Sequence, residues 1–325
     1  MTLHHSPLDS KNSSAAFKAS LPDGDMFNSP PAEPLLPPLK AYTLPDFIRL
    51  PIPPRENLLA PIIQTQSLSM LYAKRGVGKT HIALGIGYAI ATGGTILKWQ
   101  APTSRPVLYL DGEMSASTMQ DRLKKIVEAS GHSSPPEGFS IITPDMQPSG
   151  MPDLATREGQ ALIEPHARQA EFIIVDNIAT LARTGKENES EGWRGMQEWA
   201  LRQRSSKKSI LFIHHAGKDG RQRGTSSRED VLDLVIRLEH SKGYNPKEGA
   251  MFEVHYDKAR HLLGSDANPF EATLEKSGQW SFRDLQDALL KRALELQAEG
   301  LSMEEIGEQL GKHKSTVSRM LSKYA

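Results

Sequence analysis

The sequence has no cysteine and no net charge, with 39 lysines and arginines against 39 aspartates and glutamates in 325 residues. Without cysteine, disulfides and thiol catalysis are excluded. The even charge balance gives no global support to nucleic-acid binding, so any such surface has to be a local patch. No apolar run is long enough to span a bilayer, and Met1 to Ser20 is polar, without the apolar segment of a signal peptide. The expectation is a soluble cytoplasmic protein with no membrane partner. The Asn-Lys-x-Asp pattern that reads a guanine base is also missing, which disfavours a GTPase. What the chain does have is 38% apolar residues, enough to bury a full core in one large domain plus a small one.

The strongest local signal is Ala73-Lys74-Arg75-Gly76-Val77-Gly78-Lys79-Thr80. It follows the phosphate-loop pattern G-x-x-x-x-G-K-[ST], with Ala73 in place of the first glycine. Gly76 and Gly78 allow a sharp turn and a close approach of backbone N–H groups to phosphate oxygens. Lys79 supplies charge for the β- and γ-phosphates, and Thr80 a hydroxyl for Mg²⁺. Ser67–Tyr72 before it reads as a buried strand, and His81–Ile90 after it has helical apolar spacing. The loop therefore opens a helix N-terminus, where Arg75, Gly76, Val77, Gly78, Lys79, Thr80 and His81 form the candidate nucleotide cradle.

Taken in order, residues 1–44 are expected to be disordered, being polar and Pro-rich with no period. From Pro45 to Ile63, apolar residues alternate with prolines, which reads as an extended arm over the core or onto a neighbouring subunit. Strands and helices then alternate, predicting an α/β fold with a mostly parallel sheet. Pro106–Glu113 is a strand ending in acids that would lie near the loop, because ligands bind at the carboxyl ends of strands in such sheets. Glu113 is the candidate general base; the competing reading is a cap or surface acid before the helix Ser117–Ala129. Glu171–Asp176 is an apolar strand ending in Asp176, the Walker-B pattern for an acid that orients Mg²⁺. Ser209–His215 ends in two histidines, and alternation favours His215 over His214 as the one beside a γ-phosphate.

Gly217–Arg228 is a glycine-rich basic loop containing Lys218, Arg221 and Arg223. It reads as either a solvated loop or one that touches phosphates of single-stranded DNA or nucleotide. Strands follow at Leu232–Leu238 and Met251–His255. Lys258 and Arg260 come just past the second, as a surface charge run or a trans-acting arginine finger. The tail, 281–325, reads as a small all-α unit with a helix predicted over Ser281–Glu299. A capping box follows at Ser302–Glu305, and a turn at Gly311 has helix-turn-helix spacing. Its outward face holds Lys314, Ser315, Thr316, Ser318 and Arg319, able to reach duplex phosphates and base edges. A helical hairpin for subunit contacts is the alternative.

Ala73–Thr80, Glu113, Asp176, His214-His215, Arg223–Ser226 and Lys258-Ala259-Arg260, in that order, resemble the RecA/DnaB-like ATPases, above all the plasmid RepA-type hexameric helicase branch. The resemblance spans residues 45–280. It implies a RecA-like domain that uses ATP and Mg²⁺, with Lys79 and Thr80 on phosphate and metal. In the same way it makes Glu113 the catalytic base, Asp176 the Walker-B acid and His215 the γ-phosphate sensor. Lys258 with Arg260, and Arg223, are two finger candidates. A homo-oligomer, a hexamer by the resemblance, is implied. The expected function is an oligomeric DNA-binding ATPase of plasmid, phage or integrated-element replication. The alternatives are an ATP-switched DNA-binding regulator or loader without unwinding, and an ATPase whose tail binds only protein.

Overall fold

The computed structural model describes residues 39–184, 189–217, 230–241, 244 and 249–322, in two compact units divided after Pro53. In the first unit Thr43 caps a short helix, α1 (Leu44–Arg49), its hydroxyl accepting from the Asp46 N–H. The extended arm expected from Pro45 is thus helical at its start. Pro45 stands in the first turn, where its missing N–H costs nothing.

In the second unit, β1 (Asn57–Leu59) and β2 (Ile63–Gln64) form a hairpin that buries Leu58, Leu59, Ile62 and Ile63. The chain is extended here and packs onto the core beside α2, as the alternation suggested, but it turns back on itself between the two strands. Next come β3 (Leu68–Ala73), α2 (Lys79–Thr92), and a small hairpin of β4 (Thr95–Ile96) and β5 (Trp99–Gln100). They are followed by β6 (Val107–Asp111), α3 (Ala116–Ser130), β7 (Phe139–Ile142), α4 (Arg157–Gln169) and β8 (Phe172–Asp176). The chain continues through α5 (Ile178–Leu181), α6 (Glu189–Ser205), β9 (Ser209–His215), β10 (Leu234–His240) and β11 (Ala250–Ala259). It ends with β12 (Phe270–Leu274), β13 (Trp280–Asp284), α7 (Leu285–Ala298), α8 (Met303–Leu310) and α9 (Lys314–Ser322).

Nine strands form one sheet in the order β7-β6-β8-β9-β3-β10-β11-β12-β13. The six from β7 to β10 are parallel, and β11, β12 and β13 add antiparallel. β3 and β8 are buried at every position, as strands covered on both faces must be. On one face Tyr109, Phe172 and Ile174 pack with Ile82, Ile86 and Ile90 of α2. On the other, Ile173, Val175 and Phe212 meet Ile163 of α4 and Trp193 and Trp199 of α6. Gly87 lets α2 lie close on the sheet, since a Cβ there would sit 2.6 Å from the Phe139 ring and 3.0 Å from Ile174.

The antiparallel side departs from the sequence reading in two places. Residues 281–284 are strand and not helix: they pair with Phe270–Thr273, and the helix starts at Leu285. Arg283 pairs there with the buried Glu271 of β12, while Phe282 is exposed at the sheet edge. Lys258, expected past a strand, lies inside β11 opposite Val235, and only Arg260 follows the strand.

The last three helices share a core of Ala293, Leu296, Ile306, Leu310, Val317 and Leu321. Ser302 and Glu305 make the expected capping box, and Gly311 ends α8 in the left-handed conformation that glycine favours. Gly307 lets the turn fold over α8, because a Cβ there would stand 2.6 Å from the Lys312 carbonyl oxygen.

Candidate active site

Parallel register brings four strand ends to one level. Ala73 pairs with His215, Asp176 with Ile213, and Asp111 with Asp176. The phosphate-loop sequence leaves β3 at this level and opens α2. Gly76 (φ 81°) and Gly78 (φ 122°) both adopt backbone that L residues avoid. Ala73 is the last residue of the buried strand and has no positive φ, so its methyl replaces the usual glycine without strain. Val77, 1% exposed, anchors the loop in the core, while Arg75 and Gly76 face solvent. Lys79 is buried, its Nζ donating to the Ala73 and Lys74 carbonyls at 3.1 and 3.0 Å, which draws the loop around its own lysine. Burial lowers its pKa, against the opposing pull of Asp176 and Glu113.

No side chain caps α2, because its N-cap is Gly78. The first-turn N–H groups of Lys79, Thr80 and His81 are thus left to an anion, where the helix dipole favours one. The Thr80 hydroxyl stands near enough to the Asp176 carboxylate to favour its charged form, against the burial that disfavours it. Two hard oxygen donors at the mouth of a phosphate cradle fit Mg²⁺, which prefers oxygen and keeps most of its own water.

Around this pair stand Glu113 and His215, with Glu113 Oε1 3.6 Å from His215 Nε2. Glu113 does not cap the next helix: Ser115 does, accepting from the Thr118 N–H. Asp111, although a register partner of Asp176, turns inward and accepts from the Glu113 and Met114 N–H groups and the Thr143 hydroxyl. That turn carries the half-exposed Glu113 side chain out toward His215. Burial raises the pKa of both Asp111 and Asp176, with hydrogen bonds working against it. Burial and the Lys79 charge lower that of His215, outweighing Glu113, so this imidazole is neutral at pH 7. His214, by contrast, is buried in the sheet at 3% exposed.

The sequence reading missed Asn177. It is buried, its Nδ2 lies 3.3 Å from His215 Nε2, and its Oδ1 accepts the Thr180 N–H that starts α5. An asparagine right after the strand's terminal acid was the available signal.

The His81 side chain answers to α3 and not to the loop. Burial, then the charges of Arg122 and Lys125, lower its pKa from 6.5 to about 4. The unfolded chain therefore binds the extra proton between pH 6.5 and 4, and the folded state loses stability as pH falls through that window. His81→Gln is expected to flatten that slope in urea unfolding, by up to about 3 kcal/mol at pH 4. An unchanged slope would contradict the assignment.

Residues 31–221, more than half of the chain, match the profile of a family described as AAA domain. The chain belongs to this AAA-domain family. The fold of the AAA domain is similar to that of the KaiC-like protein PH0186 from the hyperthermophilic archaeon Pyrococcus horikoshii OT3. That match has a TM-score of 0.50 at 14% identity and covers 70% of this chain and 93% of that one. No curated protein matches the sequence. The AAA domain thus has a RecA-like P-loop fold, with the mostly parallel sheet expected from the alternation of strands and helices.

The finger candidates Lys258 and Arg260 lie beyond the residues that match the AAA domain and stand apart from this site. Lys258 and Arg260 lie at the amino ends of the parallel strands, since β11 runs back from Ala250 near Gly78 to Ala259 opposite Leu234. At about 3.3 Å per residue this is on the order of 20–30 Å from the phosphate loop. Arg260 is half-exposed, with Nη2 donating to the Asp230 carbonyl at 3.0 Å and Nη1 3.9 Å from Asp233. Lys218, Arg221 and Arg223 lie outside the described residues, as do residues 1–38 of the expected disordered segment. On α9, Lys314, Ser315, Ser318 and Arg319 are exposed and Thr316 is half-buried, with His313 Nδ1 2.8 Å from the Ser315 hydroxyl. Among the described residues no helix is long and apolar enough to cross a membrane.

Proposed function

We propose that this protein is an oligomeric ATPase that hydrolyses Mg-ATP and acts on DNA. The observation that carries this is the Glu113–His215 pair, 3.6 Å apart, at the level of the loop that holds Lys79 and the Thr80–Asp176 contact. In this reading the loop N–H groups and Lys79 bind the phosphates. Thr80 and Asp176 hold Mg²⁺, which when bound offsets phosphate charge. Glu113 takes the proton of the attacking water, and neutral His215, steadied by Asn177, hydrogen-bonds at the γ-phosphate. Lys258 and Arg260 are too far from their own loop to serve it, so they act on a neighbour's nucleotide in a ring, with six copies as the expected number.

The three tail helices support a duplex-binding role as a helix-turn-helix, with α9 as the reading helix and Lys314, Ser315, Thr316, Ser318 and Arg319 toward DNA. The 217–228 loop, with Lys218, Arg221 and Arg223, is assigned to single strands. Plasmid, phage or integrated-element replication is the setting this combination fits.

The test is ATP turnover across protein concentrations, with and without single-stranded and duplex DNA. Turnover per chain is expected to rise with concentration and with single strands. Gly307→Ala should leave that turnover in place but weaken duplex affinity at least tenfold, by pushing the Lys312 turn away from α8. Turnover indifferent to concentration and DNA would sink the motor. An ATP-switched regulator is the second reading, favoured by a tail with its own core; strand displacement on a forked substrate separates the two.

A further inference from the structure

The register of β6 and β8 sets two buried acids side by side, Asp111 at 1% and Asp176 at 6% exposed. Carboxylates directly opposite one another repel, and each needs hydrogen bonds in place of lost water. Asp111 is provided for by two backbone N–H groups and Thr143. The hydrogen-bond donor to Asp176 is instead a side-chain hydroxyl from the neighbouring strand, that of Tyr109 on β6, with Thr80 of α2 standing near.

Tyr109 pairs in register with Ile174, so its ring reaches Asp176 diagonally across the strands on the α2 face of the sheet. It is 0% exposed, stacked on Phe139 at 6.3 Å among apolar neighbours. A phenylalanine would fill that space equally well. What tyrosine adds is a hydroxyl 2.6 Å from Asp176 Oδ2, inside the short range of a bond to a charged acceptor.

We propose that Tyr109 is a positioning residue of the metal site. Its hydroxyl holds Asp176 Oδ2 from the sheet side and fixes the rotamer in which the carboxylate meets Thr80. This rests on the reading of Asp176 as the acid that orients Mg²⁺. A carboxylate free to turn would bind the metal's water shell in several poses, each less favourable than the one fixed in advance.

The test is Tyr109→Phe, which keeps the ring and removes one oxygen. Binding of a fluorescent ADP is measured as Mg²⁺ is titrated, and again in EDTA, beside Asp176→Asn. For Tyr109→Phe the Mg²⁺ concentration at half-saturation is expected to rise about tenfold, the low end for losing a partner of a metal ligand. Binding in EDTA should stay within about twofold of wild type, since the loop that holds the phosphates is untouched. An unchanged Mg²⁺ requirement, with Asp176→Asn still raising it, would reduce Tyr109 to packing and overturn the inference. Equal losses with and without Mg²⁺ would overturn it as well, by showing a damaged fold. If Asp176→Asn itself leaves the Mg²⁺ requirement unchanged, it is the assignment of Asp176 that fails, and Tyr109 falls with it.

Discussion

Glu113→Gln is expected to lower ATP turnover by about 10²–10⁴-fold, the usual worth of a positioned general base. Gln keeps the length and one oxygen of the side chain but takes no proton from water at neutral pH. Nucleotide affinity should stay within a few-fold, because Lys79 is held by the Ala73 and Lys74 carbonyls, while Asp111, which shapes the turn, bonds the Glu113 backbone and not its side chain. Phosphate release and equilibrium binding of a fluorescent nucleotide would be read on one preparation. Retention of more than about a tenth of wild-type turnover would remove Glu113 from the base's role.

Arg260→Ala should cost about 10³–10⁵-fold, the range for an arginine finger. On its own that loss proves little, since Arg260 also bonds Asp230 and Asp233. The decisive arm mixes Arg260→Ala with Lys79→Ala. Each is inactive alone, but a mixed ring contains interfaces where an intact loop meets an intact arginine. With random mixing these are about a quarter of all interfaces, so turnover should return to about that fraction of wild type. Absence of recovery in rings shown to be mixed would mean that the arginine does not act across the interface. Arg223→Ala in the same scheme assigns the finger between the two candidates.

The sequence carried a good deal of this arrangement. β3, β6, β8 and β9 were legible because parallel strands buried on both faces read as unbroken apolar runs, and the first glycines after a strand mark the loop. The acid and histidine at the ends of those strands followed from the rule that sites form at carboxyl ends. The antiparallel side was harder. Trp280–Asp284 alternates polar and apolar residues and runs straight into a helical pattern, so its four strand-forming residues after Trp280 were absorbed into the helix. Pro45 suggested an extended chain when it was the first turn of α1. Contacts that depend on strand order were out of reach: Tyr109 meets Asp176 only because β8 lies beside β6, though 67 residues separate the two in the chain. The Asn177–His215 approach likewise needs β8 and β9 to be neighbours.

The junction at Asp284 is the last residue of β13 and the N-cap of α7, with no linker between. A tail mounted in this way is a lever and not a bead on a leash. The fourteen residues of α7 form an arm about 20 Å long, so a tilt of the outermost strand by a few degrees swings the far end of that arm by an ångström or more. A tilt imposed on β13 would reach the tail as displacement, with no slack to take up first.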